Sequence, residues 1–513
     1  MRFYVDTPSS PIFDISYPAV LLQRDNWDDF GYKTTFTLIV VLDSAKLIEV
    51  GAVKILRIDQ RGGPTPLAES FDVLDSRYCS LGQSLSYYQT LRHLGESVSQ
   101  SVMRGLRDVV LEPWSAERFR ENRGFSDSLE RFGSSNRLLT EAAPLFRSPP
   151  PVRASGLPLS FLFATSVGGT PFEVRFSFNE VADIPGRINA LIGYNGTGKT
   201  RLLGNLAMVA HRGPEERDRA EFRRRHGEFR DLRDLTFGKV VTVSYSAFDT
   251  FEVPGATPDQ QEQMSKRGDL FGYVYVGLRS FADASAPEPP PDRPDRLKSP
   301  AEISEDFERA VIRASTEYRR DKIRDAISEV LNEPSFLRLG VDTESLFDQH
   351  AFAQFDKLST GHKIVLNIVL QLAAHLEPRS LVLIDEPESH LHPPLLSALL
   401  RSLSNLLESY DSIAVVATHS PVVLQEVPRR YVRILRRFGD VTEVDAPDYE
   451  TFGENVGFLT RSVFSLDTTA SDHHSILRRL AQRFSIAQIE EMLGNPMSPQ
   501  ARAYVASIQS SMR

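Results

Sequence analysis

The sequence predicts an α/β fold. A phosphate-loop core should follow a small α+β domain and precede a helical C-terminal segment. Three observations predict it. Gly193, Gly198, Lys199 and Thr200 fit G-x-x-x-x-G-K-[ST], between the apolar strand pattern Arg187–Ile192 and the helical pattern Arg201–Val209. A second apolar run, Leu381-Val382-Leu383-Ile384, ends in Asp385-Glu386. A third, Ser412–Ala417, ends in Thr418-His419. Several short apolar strands separated by helical patterns indicate a parallel sheet, and such sheets bind ligands at the carboxyl ends of their strands.

Composition sets the outer bounds. At 513 residues the chain is long enough for more than one domain. Its 41% hydrophobic and 25% charged content is that of a globular protein. The net charge of −9 gives no electrostatic basis for wrapping nucleic acid along the whole molecule, although a local basic face remains open. A single cysteine, Cys79, excludes an internal disulfide and suits a reducing cytosol, so a cytoplasmic location is expected. No apolar run reaches the length of a membrane span; Ile364–Ala374 is too short and carries Asn367 and Gln371.

Residues 1–150 read as an accessory domain, with strands at Thr34–Leu42 and Ile48–Ile58 and a helical pattern from about Leu81 to Val110. The Tyr87-Tyr88 pair is read as core packing rather than a base-stacking platform. Ser148–Pro151 reads as a linker. The first part of the core spans 157–281: antiparallel strands Leu159–Ala164 and Phe172–Phe178 lead into Ile188–Ile192 and the phosphate loop. Phe172 and Phe176 read as core residues, with adenine stacking as the competing role. From Arg212 to Asp234, eight arginines face seven acids, which suggests a solvated helix with i,i+4 pairs; Arg223-Arg224-Arg225 is the candidate there for touching nucleic acid or a partner. Lys239–Ser246 and Tyr273–Arg279 read as further strands. A proline-rich loop, Ala284–Pro300, and an amphipathic helix from Glu302 to about Leu331 make residues 282–350 a helical insert.

The second part of the core, 351–425, carries Leu358-Ser359-Thr360-Gly361-His362 before an apolar helix, then Asp385-Glu386, the helix Pro394–Ser409 and His419. Backbone N–H groups of a glycine loop, backed by a positive helix end, form an anion site at Gly193–Thr200. There Asn195, Gly196 and Arg201 join the binding set, Lys199 reaches the β/γ-phosphates and the Thr200 hydroxyl holds Mg²⁺. Asp385 would hold Mg²⁺ through water, Glu386 would polarise the attacking water, and His419 would hydrogen-bond the γ-phosphate. Residues 426–513 hold a strand, Tyr431–Leu435, and helices near Ser475–Arg483, Ile486–Leu493 and Pro499–Ser510. Asp472-His473-His474 reads as a helix start rather than a metal motif, and no spaced acid set for a two-metal nuclease is visible.

In this order and spacing the motifs resemble those of the ABC-type ATPase head over about residues 157–425, in the soluble SMC-like and OLD-like bacterial branch. Asp385-Glu386-Pro387-Glu388-Ser389-His390-Leu391-His392-Pro393 is the most specific part of the likeness. The resemblance implies an ABC/SMC-head-like P-loop NTPase core that uses ATP and Mg²⁺ and forms a homodimer or higher homo-oligomer. It also implies that Ser359, Thr360 and Gly361 contact the γ-phosphate of the partner's nucleotide. It points to anti-phage defence, with a separate effector such as an HNH nuclease in a Septu-like system. The alternatives are a DNA repair ATPase, in which nucleic acid is bound, or the nucleotide-binding subunit of a membrane transporter. Three departures stand out. His362 occupies the place of the usual glutamine, Thr360 that of the usual glycine or serine, and no glutamine follows Lys239–Ser246, where Ser246 or Asp249 is the substitute.

Overall fold

The computed structural model describes residues 1–5, 16–43, 47–131, 138–139, 141–146, 159–181, 183–233, 235–246, 269–270, 272–281, 295–314, 317–341, 355, 357–463 and 472–511. They form two compact units, Met1–Phe452 and Gly453–Arg513.

The first unit is organised on an eight-stranded sheet. Its order is Asp269–Leu270, Tyr273–Gly277, Val240–Ser244, Leu381–Asp385, Ile413–Thr418, Ile188–Gly193, Val432–Phe438 and Val441–Asp445. The six inner strands run parallel, and the two edge strands are antiparallel to their neighbours. Five of the inner strands are almost wholly buried, mainly apolar runs, as in a sheet covered on both faces, whereas Val432–Phe438 carries Arg433, Arg436 and Arg437 and is partly exposed. Registers align the strand ends: Ser244 lies opposite Asp385, Asp385 opposite Ala417, and Ile192 opposite Thr418. This places the phosphate loop, the acidic pair and the histidine along one edge of the sheet.

Leu159–Thr165, Phe172–Phe178 and Glu228–Phe229 form a small antiparallel sheet whose inner side joins the same hydrophobic core. Phe172 and Phe176 are buried in that core, as expected of core residues. The charged stretch after Arg212 departs from a single solvated helix. It breaks into Pro214–Arg217 and Ala220–His226 and ends in the short strand Glu228–Phe229. Only Arg212–Glu216 makes an i,i+4 pair among the described residues. Arg217 is buried and donates to the carbonyls of Arg212 and Leu235. Tertiary hydrogen bonds thus override the local charge pattern. The helix expected from Glu302 to Leu331 is likewise two helices, Pro300–Ala314 and Glu317–Leu331, and a strand, Asp295–Leu297, lies in the proline-rich stretch.

The N-terminal region is a six-stranded sheet ordered Ser70–Phe71, Arg2–Val5, Ala19–Arg24, Thr35–Val41, Leu47–Arg57 and Tyr78–Gly82. Helices Leu85–His93 and Glu96–Gly105 follow it, so the helical pattern from Leu81 contains a break at the positive-φ Gly95. Tyr87 and Tyr88 are fully buried and meet edge to face. Glu377, after the helix Thr360–His375, joins this region to the core. It accepts hydrogen bonds from Leu85 N (3.1 Å) and Ser86 Oγ (3.3 Å), and it pairs with Lys239 at 3.3 Å. Trp27 also packs into the nucleotide-core cluster.

The second unit holds helices Val456–Val463, Asp472–Ala481, Ile486–Leu493 and Pro499–Ser511, with Ala481, Ile489, Met497 and Val505 at its centre. Ser485 and Gln488 form a reciprocal capping box. The Asp472-His473-His474 stretch begins a helix.

Candidate nucleotide-binding site

The phosphate loop leaves the buried strand Ile188–Gly193 and opens the helix Lys199–His211. The loop needs its glycines. A Cβ at Gly193 would lie 2.6 Å from Leu435 O, and Gly198 sits at φ +95° with a Cβ position 2.7 Å from Val167. Asn195, Gly196 and Arg201 are exposed at the mouth. Lys199 folds back over the loop and donates to Gly193 O (2.9 Å) and Tyr194 O (3.3 Å). Burial pushes its ammonium below the usual lysine range, while the charges of Glu386, Asp385 and Glu388 pull it back up.

Thr200 and Asp385 meet although 185 residues separate them: the Thr200 hydroxyl donates to Asp385 Oδ2 at 2.7 Å. A hydroxyl and a carboxylate at one point are hard oxygen donors of the kind Mg²⁺ takes, so the residues present fit that ion. Glu386 follows in the left-handed region, at φ 46° and ψ 59°, and its N–H is tied to Ala417 O at 2.9 Å. A non-glycine residue there carries strain, and strain of this kind collects at functional sites. It turns the Glu386 carboxylate toward His419, whose Nδ1 lies 3.6 Å from Glu386 Oε1.

Glu388 is a participant that the sequence reading left without a role. Its Oε1 accepts from Thr418 Oγ1 and from His419 N, both at 2.7 Å, and lies 3.2 Å from His419 Nδ1. Its Oε2 is buried with no hydrogen-bond partner among the described residues. The signal was a third acid within four residues of a strand end. Nearby, His390 Nε2 bonds Tyr245 O at 3.1 Å, and the Tyr245 hydroxyl accepts from Asn367 at 2.9 Å, so the acidic turn is braced by the neighbouring strand and helix. Ser246 follows that strand, while Asp249 lies outside the described residues.

Ser359 stands at the N-cap of the helix Thr360–His375, with Ser359 and Thr360 exposed. Gly361 packs beside His390 O. Among the described residues no hydrogen bond joins Ser359–Gly361 to Gly193–Thr200 in the same chain. On the other side of the phosphate loop is a cavity of about 370 Å³, lined by Tyr194–Thr197 and Arg436–Gly439. Tyr194 and Phe438 are the exposed aromatic residues beside the loop, a pair that periodicity did not single out. Arg437 braces the cavity wall by donating to Val167 O (3.1 Å) and Gly168 O (2.9 Å).

Known proteins match this architecture at two levels. Residues 282–425 match the family described as "AAA domain, putative AbiEii toxin, Type IV TA system". Across nearly its whole length the chain is similar to Protein ea59 of Escherichia phage lambda, with 31% identity over 490 residues, covering 89% of this chain and 88% of that one. The chain belongs to the ea59 family. Among solved structures, this ea59-family chain is similar to the RNase-L Inhibitor, at 15% identity and a TM-score of 0.28. That match covers 57% of this chain and 40% of that one. It is also similar to the ADP conformation of MJ1267, an ATP-binding cassette of an ABC transporter, at 12% identity and a TM-score of 0.29, covering 57% and 93%. The strand order and the loops at the carboxyl ends of its strands make the ea59-family core a P-loop ATPase fold of the AAA/ABC type. Among the described residues no helix is long and apolar enough to cross a membrane.

Proposed function

We propose that this chain is an ATP-hydrolysing head that closes as a dimer around Mg²⁺-ATP and, through that cycle, gates a separate effector or a nucleic-acid transaction. The observation that carries the reading is the Thr200–Asp385 contact at 2.7 Å. It joins the phosphate loop to the acidic strand end, with Glu386 and His419 beside it. In this reading Lys199 leaves its two loop carbonyls for the β/γ-phosphates. Thr200 and Asp385 hold Mg²⁺, which when bound neutralises charge developing on the phosphates. Glu386 orients and polarises the attacking water, and His419 donates to the γ-phosphate. Asn195, Gly196 and Arg201 line the nucleotide, and the cavity at Tyr194 and Phe438 takes its base and ribose. Ser359, Thr360 and Gly361 meet the γ-phosphate from the second subunit. Their exposure, with no bond to their own phosphate loop, supports this placement.

We place this cycle in anti-phage defence; the matched domain is described as a putative AbiEii toxin of a Type IV TA system. An effector such as an HNH nuclease would then act in the cytoplasm under control of the heads.

The test is Glu386→Gln, sized with and without Mg²⁺-ATP. A stable ATP-dependent dimer is expected. A chain that stays in one assembly state whatever the nucleotide refutes head closure. Lys199→Ala should abolish nucleotide binding; tight binding by that variant refutes the site itself.

A further inference from the structure

The loop that begins at Ser359 contains a hydrogen-bond chain that the motif reading does not use. Ser359 occupies an N-cap position, yet its hydroxyl makes no bond to the helix backbone. Instead its Oγ lies 2.5 Å from Nδ1 of His362. The opposite ring nitrogen, Nε2, lies 2.7 Å from Ser335 Oγ, and Ser335 Oγ in turn meets the Glu333 carboxylate. Glu333 also accepts from Ser335 N at 2.8 Å and caps the helix Pro334–Leu339. Burial pushes the Glu333 carboxyl upward, but the bonds from Ser335 and from the N–H groups of Ser335 and Phe336 outweigh it and hold the group below the usual range. It is therefore a carboxylate, which only accepts hydrogen bonds.

Proton counting orders the chain. Ser335 has one hydroxyl proton and gives it to Glu333. Ser335 Oγ must then accept from His362, so Nε2 carries the ring proton. In neutral His362, Nδ1 is then an acceptor, and the Ser359 hydroxyl must donate to it. A Ser359 proton held by its own histidine is not available to a phosphate oxygen. Once His362 is protonated, both ring nitrogens donate. Ser359 Oγ then accepts from Nδ1, and its proton turns outward, beside the open N–H groups of the first helical turn.

We propose that His362 is a positioning residue that sets the direction of the Ser359 hydroxyl proton, so that the Ser359–Gly361 loop accepts a phosphate oxyanion when the imidazole has taken up a proton from solvent. This deepens the head-dimer reading and rests on it, the oxyanion being the γ-phosphate held by the second subunit. Among the described residues the charged group facing the ring is Glu333, the N-cap of the neighbouring short helix. Phe336 meets the ring edge to face at 4.5 Å, and Lys363, next on the histidine's own helix, lies over the Phe355 ring. Burial lowers the His362 pKa and the charge of Glu333 opposes that, so the free loop rests with a neutral ring at pH 7. An arriving phosphate favours the imidazolium. Each of the two loops of the closed dimer then takes up a proton, so assembly strengthens as pH falls, by at most about tenfold per pH unit for each loop.

The experiment measures ATP-dependent dimer dissociation constants at pH 6, 7 and 8 in the Glu386→Gln background, with Mg²⁺-ATP as the probe. The dimer should weaken by about tenfold from pH 6 to pH 8. Adding Ser335→Ala removes the acceptor for Nε2–H and lets the neutral ring place its proton on Nδ1. Assembly at pH 8 should then recover to its pH 6 strength. His362→Gln, whose amide donates at every pH, should also flatten the profile. A merely structural role for Ser335 would predict weaker assembly, not recovery. Equal pH slopes with and without Ser335→Ala, or no slope in the background protein, overturn the proposal while leaving head closure intact. Absence of ATP-dependent assembly at every pH overturns both.

Discussion

The contacts of Glu388 predict a large catalytic effect for a residue outside the usual motif positions. Its Oε1 accepts two hydrogen bonds at 2.7 Å, from Thr418 Oγ1 and His419 N, and faces the His419 ring. Bonds to a charged group contribute about 1.5–3 kcal/mol each. Some of that is offset, because Oε2 is already buried without a partner. Glu388→Ala should therefore misplace His419 at a cost of about 3 kcal/mol in the transition state, a roughly 100-fold fall in turnover. Glu388→Gln keeps an acceptor oxygen but loses the charge. Neutral bonds are about half as strong, so the fall should be roughly tenfold. ATP affinity should change little, since the hydrogen bonds of Glu388 go to Thr418 and His419 and, among the described residues, none goes to the phosphate loop. Steady-state phosphate release and an equilibrium nucleotide titration separate the two effects. Because Glu388 is argued to act through His419, Glu388→Ala should add little in a His419→Ala background. Turnover of Glu388→Ala within about threefold of the parent, or full additivity with His419→Ala, would refute this account.

Three further outcomes follow from the same structure. Gly198→Ala forces a side chain onto φ +95° and into Val167, so the thermal stabilisation conferred by ATP should disappear, as read by a melt with and without nucleotide. Glu377→Ala removes the buried carboxylate that pairs with Lys239, itself only 3% exposed. That loss, with that of the hydrogen bonds from Leu85 N and Ser86 Oγ, should cost about 3 kcal/mol in urea unfolding. Asp108 is held at about pH 7 by burial, against an ordinary value of 3.8, although Val110 N and Tyr88 Oη donate to it. Its folded pKa lies above its unfolded one. Its contribution to stability is thus full below about pH 4 and declines as pH rises through 7, by up to about 4 kcal/mol, and Asp108→Asn should flatten that decline.

Features carried by contiguous residues were legible in the chain. The glycine spacing of residues 193–200 dictates a loop between strand and helix, and the apolar runs ending at Asp385 and Thr418 dictate strands with polar ends. The Tyr87-Tyr88 pair and the start of the Asp472 helix were equally local. The charge pattern after Arg212 misled, because the bonds from Arg217 to distant carbonyls outweigh i,i+4 attraction on a surface helix. Only the tertiary structure decided which segments meet. Strand order brings Thr200 to Asp385, and the left-handed turn at Glu386 brings two carboxylates to His419. The packing of Pro334–Leu339 beside the Thr360 helix completes the Ser335–His362–Ser359 chain. The physical reason is range. Backbone propensity and phosphate-loop chemistry act over a few neighbouring residues, whereas hydrogen bonds between distant segments depend on strand order and helix packing, which no local pattern encodes.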